Sequence, residues 1–240
     1  MNVSGIRVRA ILIKELRDLR RNRSVLVAML IFPLIFSIAP LVNIFELSSD
    51  SSSGVAHYNV LLYMLGIPAI VPAVIAAYAV AGERQQGTLE PVLITPIRRE
   101  EFLLGKALAA LLPSVVVAYA VYAIVLGLIQ VFAQPGVAAA VLHPSEMLVQ
   151  VLFTPLIAGW SIWLGIAVST RASDTRVAQQ LGILACVPTA VIAALIAYAV
   201  IPATFGLGIF FAALLVFLNI TGWRVTSRLF DRERLITGTR

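Results

Sequence analysis

Charge is scarce in this sequence, and the places where it is missing say the most. Only 12% of the 240 residues are Asp, Glu, Lys or Arg, against about 25% in a soluble domain. Six long segments hold no Asp, Glu, Lys, Arg or His. That speaks against a proton-coupled carrier or a voltage sensor, which need partnered charges at membrane depth. Cysteine is nearly absent. Cys186 stands alone in an apolar run, so an intrachain disulfide is excluded, and a small packed core residue is expected. His57 and His143 fall in separate loops without metal-ligand spacing, and no metal site is predicted. There is no His-Glu-x-x-His, no paired Asp and no serine with an embedded histidine, which argues against intramembrane proteolysis. A phosphate-binding loop is missing too. At the one Gly-Lys pair, Gly105-Lys106, Glu100 stands where the first glycine is required and Ala107 follows the lysine. The chain carries no ATPase site of its own.

What is present is apolar: 60% of the residues are hydrophobic. Runs at about 25–45, 60–81, 107–132, 148–168, 179–201 and 203–223 reach the ~20 residues that a crossing helix needs. They are too long and uniform for barrel strands. The fold class predicted is an all-α integral membrane protein with six transmembrane helices. Pro33 and Pro40 are expected to kink the first span, with Pro68 and Pro72 in the second. Little more than Pro202 separates the fifth and sixth, which predicts a tight hairpin. The fifth carries a ladder of small residues, Gly182, Cys186, Ala190, Ala193 and Ala197, suited to close approach either within the chain or at a dimer seam.

The net charge is +6, and its distribution matters more than its size. Every Lys and Arg precedes the first span or lies in 82–106, between spans four and five, or in the tail 224–240. The alternate loops, 46–59 and 133–147, hold none; they contain Glu46, Asp50, Glu146 and both histidines. The positive-inside rule then places both termini in the cytosol and explains the basic balance without nucleic acid. The Ser-rich 47–54 reads as a flexible loop, and both outer loops read as passive. No cleavable signal peptide is expected, since charge at helical spacing opens the chain and the first apolar run is long enough to stay in the membrane.

Residues 1–24 form a basic amphipathic segment. Val8, Leu12, Leu16 and Leu19 share one face at helical spacing, with Arg7, Lys14, Arg17 and Arg21 on the other. One reading is a helix lying at the cytosolic membrane surface, its cations near anionic headgroups. The other is a cytosolic extension of the first span.

Between spans two and three lies GERQQGTLEPVLITPIRREEFLLGK, residues 82–106, with eight charged residues. Gly87 permits a sharp change of direction. Thr88–Ile94 is a short amphipathic piece. Thr95-Pro96 is a helix-start signal, a capping hydroxyl followed by proline. Glu100 and Glu101 suit the positive end of the next helix. The stretch reads as a stiff elbow that can pass a push from a cytosolic partner to two membrane helices.

The pattern Glu83-Arg84-x-x-Gly87-Thr88-Leu89-Glu90-x-x-Leu93-x-Thr95-Pro96, followed by Arg99-Glu100 and Gly105-Lys106, resembles the signature loop of the type 2 ABC exporter permeases. These are the membrane subunits of bacterial exporters of drugs, lipids, polysaccharides and ions. Ile97 departs from the family, which often has a small or polar residue there. The resemblance implies that this loop is a coupling helix seated in a groove of an ATPase subunit. Glu83 and Arg84 would stand at its membrane end, Gly87, Thr88, Leu89, Glu90 and Leu93 in the inserted piece, and Pro96, Arg98, Arg99, Glu100 and Glu101 in its return. It further implies two copies of a cytosolic ATPase holding ATP and Mg, no cofactor on this chain, a second permease copy as homodimer or heterodimer, and residence in the bacterial cytoplasmic membrane.

The substrate expected from such apolar spans is amphiphilic or hydrophobic, drug or lipid-like. Tyr119 and Tyr122, spaced i, i+3 on one face, together with Thr154, Ser161 and Asn219, are the candidates for its path. The same polar groups also fit plain helix-to-helix hydrogen bonds. A non-transporting protein that couples a cytosolic ATPase to regulation or force transmission is the alternative function. Outer loops of about a dozen residues favour transport over it.

Overall fold

A computed structural model describes residues 4–45, 59–85, 87, 98–172 and 174–229, leaving aside the side chains of Ser24 and Arg84. Among these residues there are eight α-helices and no strand. They are α1 (Gly5–Arg21), α2 (Arg23–Phe45), α3 (Gly66–Gln85), α4 (Arg99–Phe132), α5 (Pro135–Val141), α6 (Pro144–Arg171), α7 (Thr175–Ala197) and α8 (Phe205–Leu229). A 3₁₀ segment, Val60–Leu65, leads into α3. Six helical stretches are long and apolar enough to cross a membrane: α2, the 3₁₀ segment with α3, α4, α6, α7 and α8. The chain is a multi-pass membrane protein.

Span two, α3 with its 3₁₀ lead, is the centre of the bundle. Of its apolar window 94% is buried, against 11% for span six. Helices α6 and α7 close on it where side chains are smallest. A Cβ on Gly165 would stand 2.8 Å from the Ala73 carbonyl oxygen and from the Ala76 methyl; one on Gly182 would meet the same carbonyl at 3.6 Å. Close approach of this kind drives association where lipid is as apolar as the helix itself. The remaining elements attach to this core: α2 packs on α3 and α4, α8 on α6, and α1 on α4. The small-residue ladder of α7 is an intrachain contact, with Gly182, Cys186, Ala193 and Ala197 buried and the helix set against α3.

The ends and connections of the helices depart from the sequence expectations in several places. α7 ends at Ala197, and residues 198–204 link it to α8 with Ala199 at φ 56°; the connection is more than a turn at Pro202. α8 runs on to Leu229, so the first residues of the expected tail are helical. The 133–147 loop contains α5, opened by Pro135 in its first turn, where proline's missing N–H costs nothing. The helix placed at Thr95-Pro96 begins at Arg99 with Arg98 as N-cap; Thr95 and Pro96 lie outside the described residues, as do His57, the serine-rich loop and the end of the tail.

Candidate functional site

The chain breaks between its first two helices at Asn22. Its backbone is extended, at φ −89° and ψ 100°. Its side-chain oxygen accepts a hydrogen bond from the Val25 N–H at 3.4 Å, and its carbonyl accepts from Leu26 at 3.1 Å. Asparagine supports such a break because its short amide replaces a missing helical partner. α1 is therefore a separate helix and not an extension of span one.

α1 turns inward a face that overlaps its leucine stripe and is centred on Ile11. Ile11 is buried and lies over Gly105 on α4, where an added Cβ would stand 2.6 Å from the isoleucine methyl. The stripe of Val8, Leu12, Leu16 and Leu19 is only half-buried. Contact with α4 explains the difference, because the glycine opens a notch that a β-branched side chain fills. That docking sets the polar residues of α1 against the ends of spans two and three.

Four charges meet there. Lys14 Nζ donates to Glu83 Oε1 at 2.6 Å and to Glu15 Oε1 at 3.1 Å. Lys106 Nζ donates to Glu15 Oε1 at 2.9 Å and stands 3.1 Å from Glu83 Oε1. Two cations and two carboxylates alternate, so each charge has opposite neighbours. The Lys106 side chain is 1% exposed and lies over the Phe102 ring, a position that an ammonium holds only when paired. Burial works against the charge of Lys14, but Glu83 and Glu15 outweigh it and hold its proton more tightly than in a free lysine. Burial likewise opposes the Glu15 carboxylate, while Lys106 and Lys14 keep it below the usual carboxylate range. A cleft of about 450 Å³, lined among others by Lys14, Asp18, Tyr78 and Glu83, lies beside the joint.

A second clasp sits one turn away. Glu101, 1% exposed, accepts from the Ser4 N–H at 2.9 Å, the Arg98 N–H at 3.1 Å and the Arg7 guanidinium at 3.4 Å. The same carboxylate thus caps α4 and holds the start of α1. On the other side of span two, Gln85 Nε2 donates to Asp174 Oδ1 at 2.8 Å, and Thr175 Oγ1 donates to Gln85 Oε1. Asp174 also caps α7 through the Arg176 N–H, and these bonds, that of Arg176 first, lower its pKa. Deeper in, the Ser169 hydroxyl on α6 accepts from the Val80 and Ala81 N–H groups at 3.1 and 2.9 Å and donates to the Ala77 carbonyl at 2.6 Å. The last turns of span two are therefore gripped by α1, α4, α6 and α7 at once.

Of the coupling candidates, Glu83 is buried in the joint and Glu101 in the second clasp. Gly87 is exposed with φ 67°, a conformation that favours glycine. Arg98 and Arg99 are exposed and Glu100 is half-buried. Thr88, Leu89, Glu90, Leu93, Pro96 and the Arg84 side chain lie outside the described residues. The substrate-path candidates do not gather at one place. Tyr119 donates to the Val151 carbonyl at 2.8 Å, Thr154 to the Gln150 carbonyl of its own helix at 2.6 Å, and Asn219 to those of Leu156 and Leu215 at 2.9 and 2.8 Å. Tyr122 and Ser161 are buried. Sequence reasoning missed Ile11, Glu15 and Ser169. Glu15 carried a signal, being a carboxylate in a segment otherwise rich in cations.

A family model described as ABC-2 family transporter protein matches residues 9–226. No curated protein matches the sequence.

Proposed function

The chain belongs to the ABC-2 transporter family as its membrane permease, and from that premise we propose that it exports an amphiphilic or hydrophobic substrate, driven by a separate ATPase. The observation that carries this reading is the ionic joint. Glu83 ends span two and Lys106 begins the membrane part of span three, so the pair ties the two helices at both roots of the 86–98 stretch. Lys14 and Glu15 tie the same roots to α1. A load applied to that stretch reaches three helices together. A clamped joint transmits displacement, whereas a loose one absorbs it.

In this reading, two ATPase subunits bind ATP and Mg, close, and carry the coupling stretches of two permease copies toward each other. The membrane is the bacterial cytoplasmic one, with both termini and the joint on the cytosolic side. The exclusive placement of Lys and Arg at that end supports this orientation. α1 lies along the membrane surface, its exposed arginines toward the headgroups.

Co-purification in mild detergent tests the proposal by asking which ATPase accompanies the chain, and ATP hydrolysis is then measured with candidate lipids and drugs. Reversal of charge at Glu83 is expected to leave the ATPase bound but its activity unresponsive to substrate. An unchanged response would refute the coupling role of the joint.

A further inference from the structure

At the end of the bundle remote from the joint, a carboxylate is buried without an ion pair among the described residues. Glu146 lies in the first turn of α6 and is 7% exposed; Gln150, one turn on, is fully buried; Tyr122 of α4 is 5% exposed. Glu146 Oε2, Tyr122 Oη and both polar atoms of Gln150 make no hydrogen bond to any described residue. The Tyr119 bond to the Val151 carbonyl fixes the register of α4 against α6. One further turn of α4 then brings Tyr122 level with the Glu146–Gln150 turn, within range of the Glu146 charge. Val125, Ile129, Val137 and Val141 belong to the same apolar core as Tyr122. Lys106 is sixteen residues from Tyr122 on α4, about 24 Å at 1.5 Å per residue. Arg171 is farther still from Glu146 on α6.

Four buried polar atoms without partners among the described residues, on three side chains at one level of two packed helices, are costly unless something binds them. Three of the four are hard oxygens, of a carboxylate, an amide carbonyl and a phenol, with one negative charge among them; the fourth, Gln150 Nε2, is a donor that a cation leaves to other partners. Hard oxygens select hard cations, and a single negative charge matches a single positive one. We propose that Tyr122, Glu146 and Gln150 form a binding site for a small monovalent cation, sodium or potassium, between spans three and four. Bound there, the ion neutralises Glu146 and ties α4 to α6 at the end opposite the joint.

The test is the melting midpoint of the purified full-length chain in detergent, at neutral pH and matched ionic strength, in sodium, potassium or N-methyl-D-glucamine chloride. The expected result is a midpoint several degrees higher in one or both alkali salts than in the bulky cation, in line with ligand binding to the folded state alone. Glu146→Gln should melt at the same temperature in all three salts, and Tyr122→Phe should keep the fold with a reduced difference. Equal midpoints in the three salts for the unsubstituted protein would overturn the proposal. So would an ion preference that survives in both variants, which would place the ion elsewhere. Stabilisation on acidification with no response to the salt cation would also overturn it, since a proton would then neutralise Glu146. Should Glu146→Gln fail to fold, Tyr122→Phe decides alone, and an undiminished ion preference in it counts against the site.

Discussion

At one end of the bundle, Glu83 and Glu15 meet Lys14 and Lys106; at the other, Glu146 is buried with no ion pair among the described residues. Both ends bury carboxylates within the protein. The difference lies in where the chain keeps its cations. A membrane protein that confines Lys and Arg to one side builds its lysine and arginine ion pairs on that side. At the other end the chain offers only histidine, and among the described residues Glu146 has no ion pair. Paired charges fix geometry, whereas an unpaired one creates a demand for a ligand.

Making the same substitution at the two ends breaks the comparison most sharply. Glu83→Gln leaves Lys106 buried with half its compensation, and loss of one partner of a buried pair costs about 3–5 kcal/mol. Glu146→Gln removes an uncompensated charge, so in buffer without alkali cations it should be neutral or stabilising. Thermal unfolding of both variants in detergent checks the pair; two losses of similar size would show that the ends do not differ. Next in size is Gly105→Val, which drives a side chain into Ile11. Overpacking of about 1–3 kcal/mol should loosen α1 and expose it to protease, with Ile11→Ala restoring part of the contact. Ser169→Ala removes the hydroxyl shared by Val80 and Ala81. The expected loss is about 1–2 kcal/mol, read as faster amide exchange in the last turns of span two. Gly87→Ala asks alanine to hold φ 67°, at about 1 kcal/mol. It should touch ATPase coupling more than melting.

The smallest expected effect is that of pH on the joint. Glu15 has a depressed pKa, so its contribution is present above the ordinary carboxylate range and lost as pH falls through its lowered value. Lys14 has a raised pKa, so its contribution is present below the ordinary lysine value and lost only above its raised one. Docking of α1, followed by a fluorophore on an exposed residue, should be flat between about pH 5 and pH 10. A midpoint inside that window would mean that the four charges do not act as pairs.

The six spans were legible because uniform apolarity over twenty residues has few other meanings. In the 82–106 stretch, the positive φ of Gly87 and the acidic first turn of α4 were legible because they are local signals; residues 88–97 lie outside the described residues. The joint was not legible, although Glu83, Lys14 and Lys106 were each noticed. Their meeting depends on Ile11 finding the Gly105 notch, a contact between residues 94 positions apart in sequence that no periodicity encodes. The leucine stripe of α1 was a true feature of the helix but did not name its protein partner. In the sequence Glu146 falls in an outer loop, two residues before the apolar run that begins at Leu148. The start of α6 at Pro144 carries the acid into the bundle.

The burial of span two has a consequence for how the protein is made. Its coverings, α6 and α7, are synthesised after it, and 112 residues separate Gln85 from Ala197. At about 5–20 residues per second, span two stands beside lipid for roughly 6–20 seconds before its site is complete. Its surface of alanine, valine and isoleucine suits both surroundings, since neither lipid nor a neighbouring helix penalises it. The central helix of the finished bundle is thus one that can wait, and Gly165 and Gly182 arrive later to close around it.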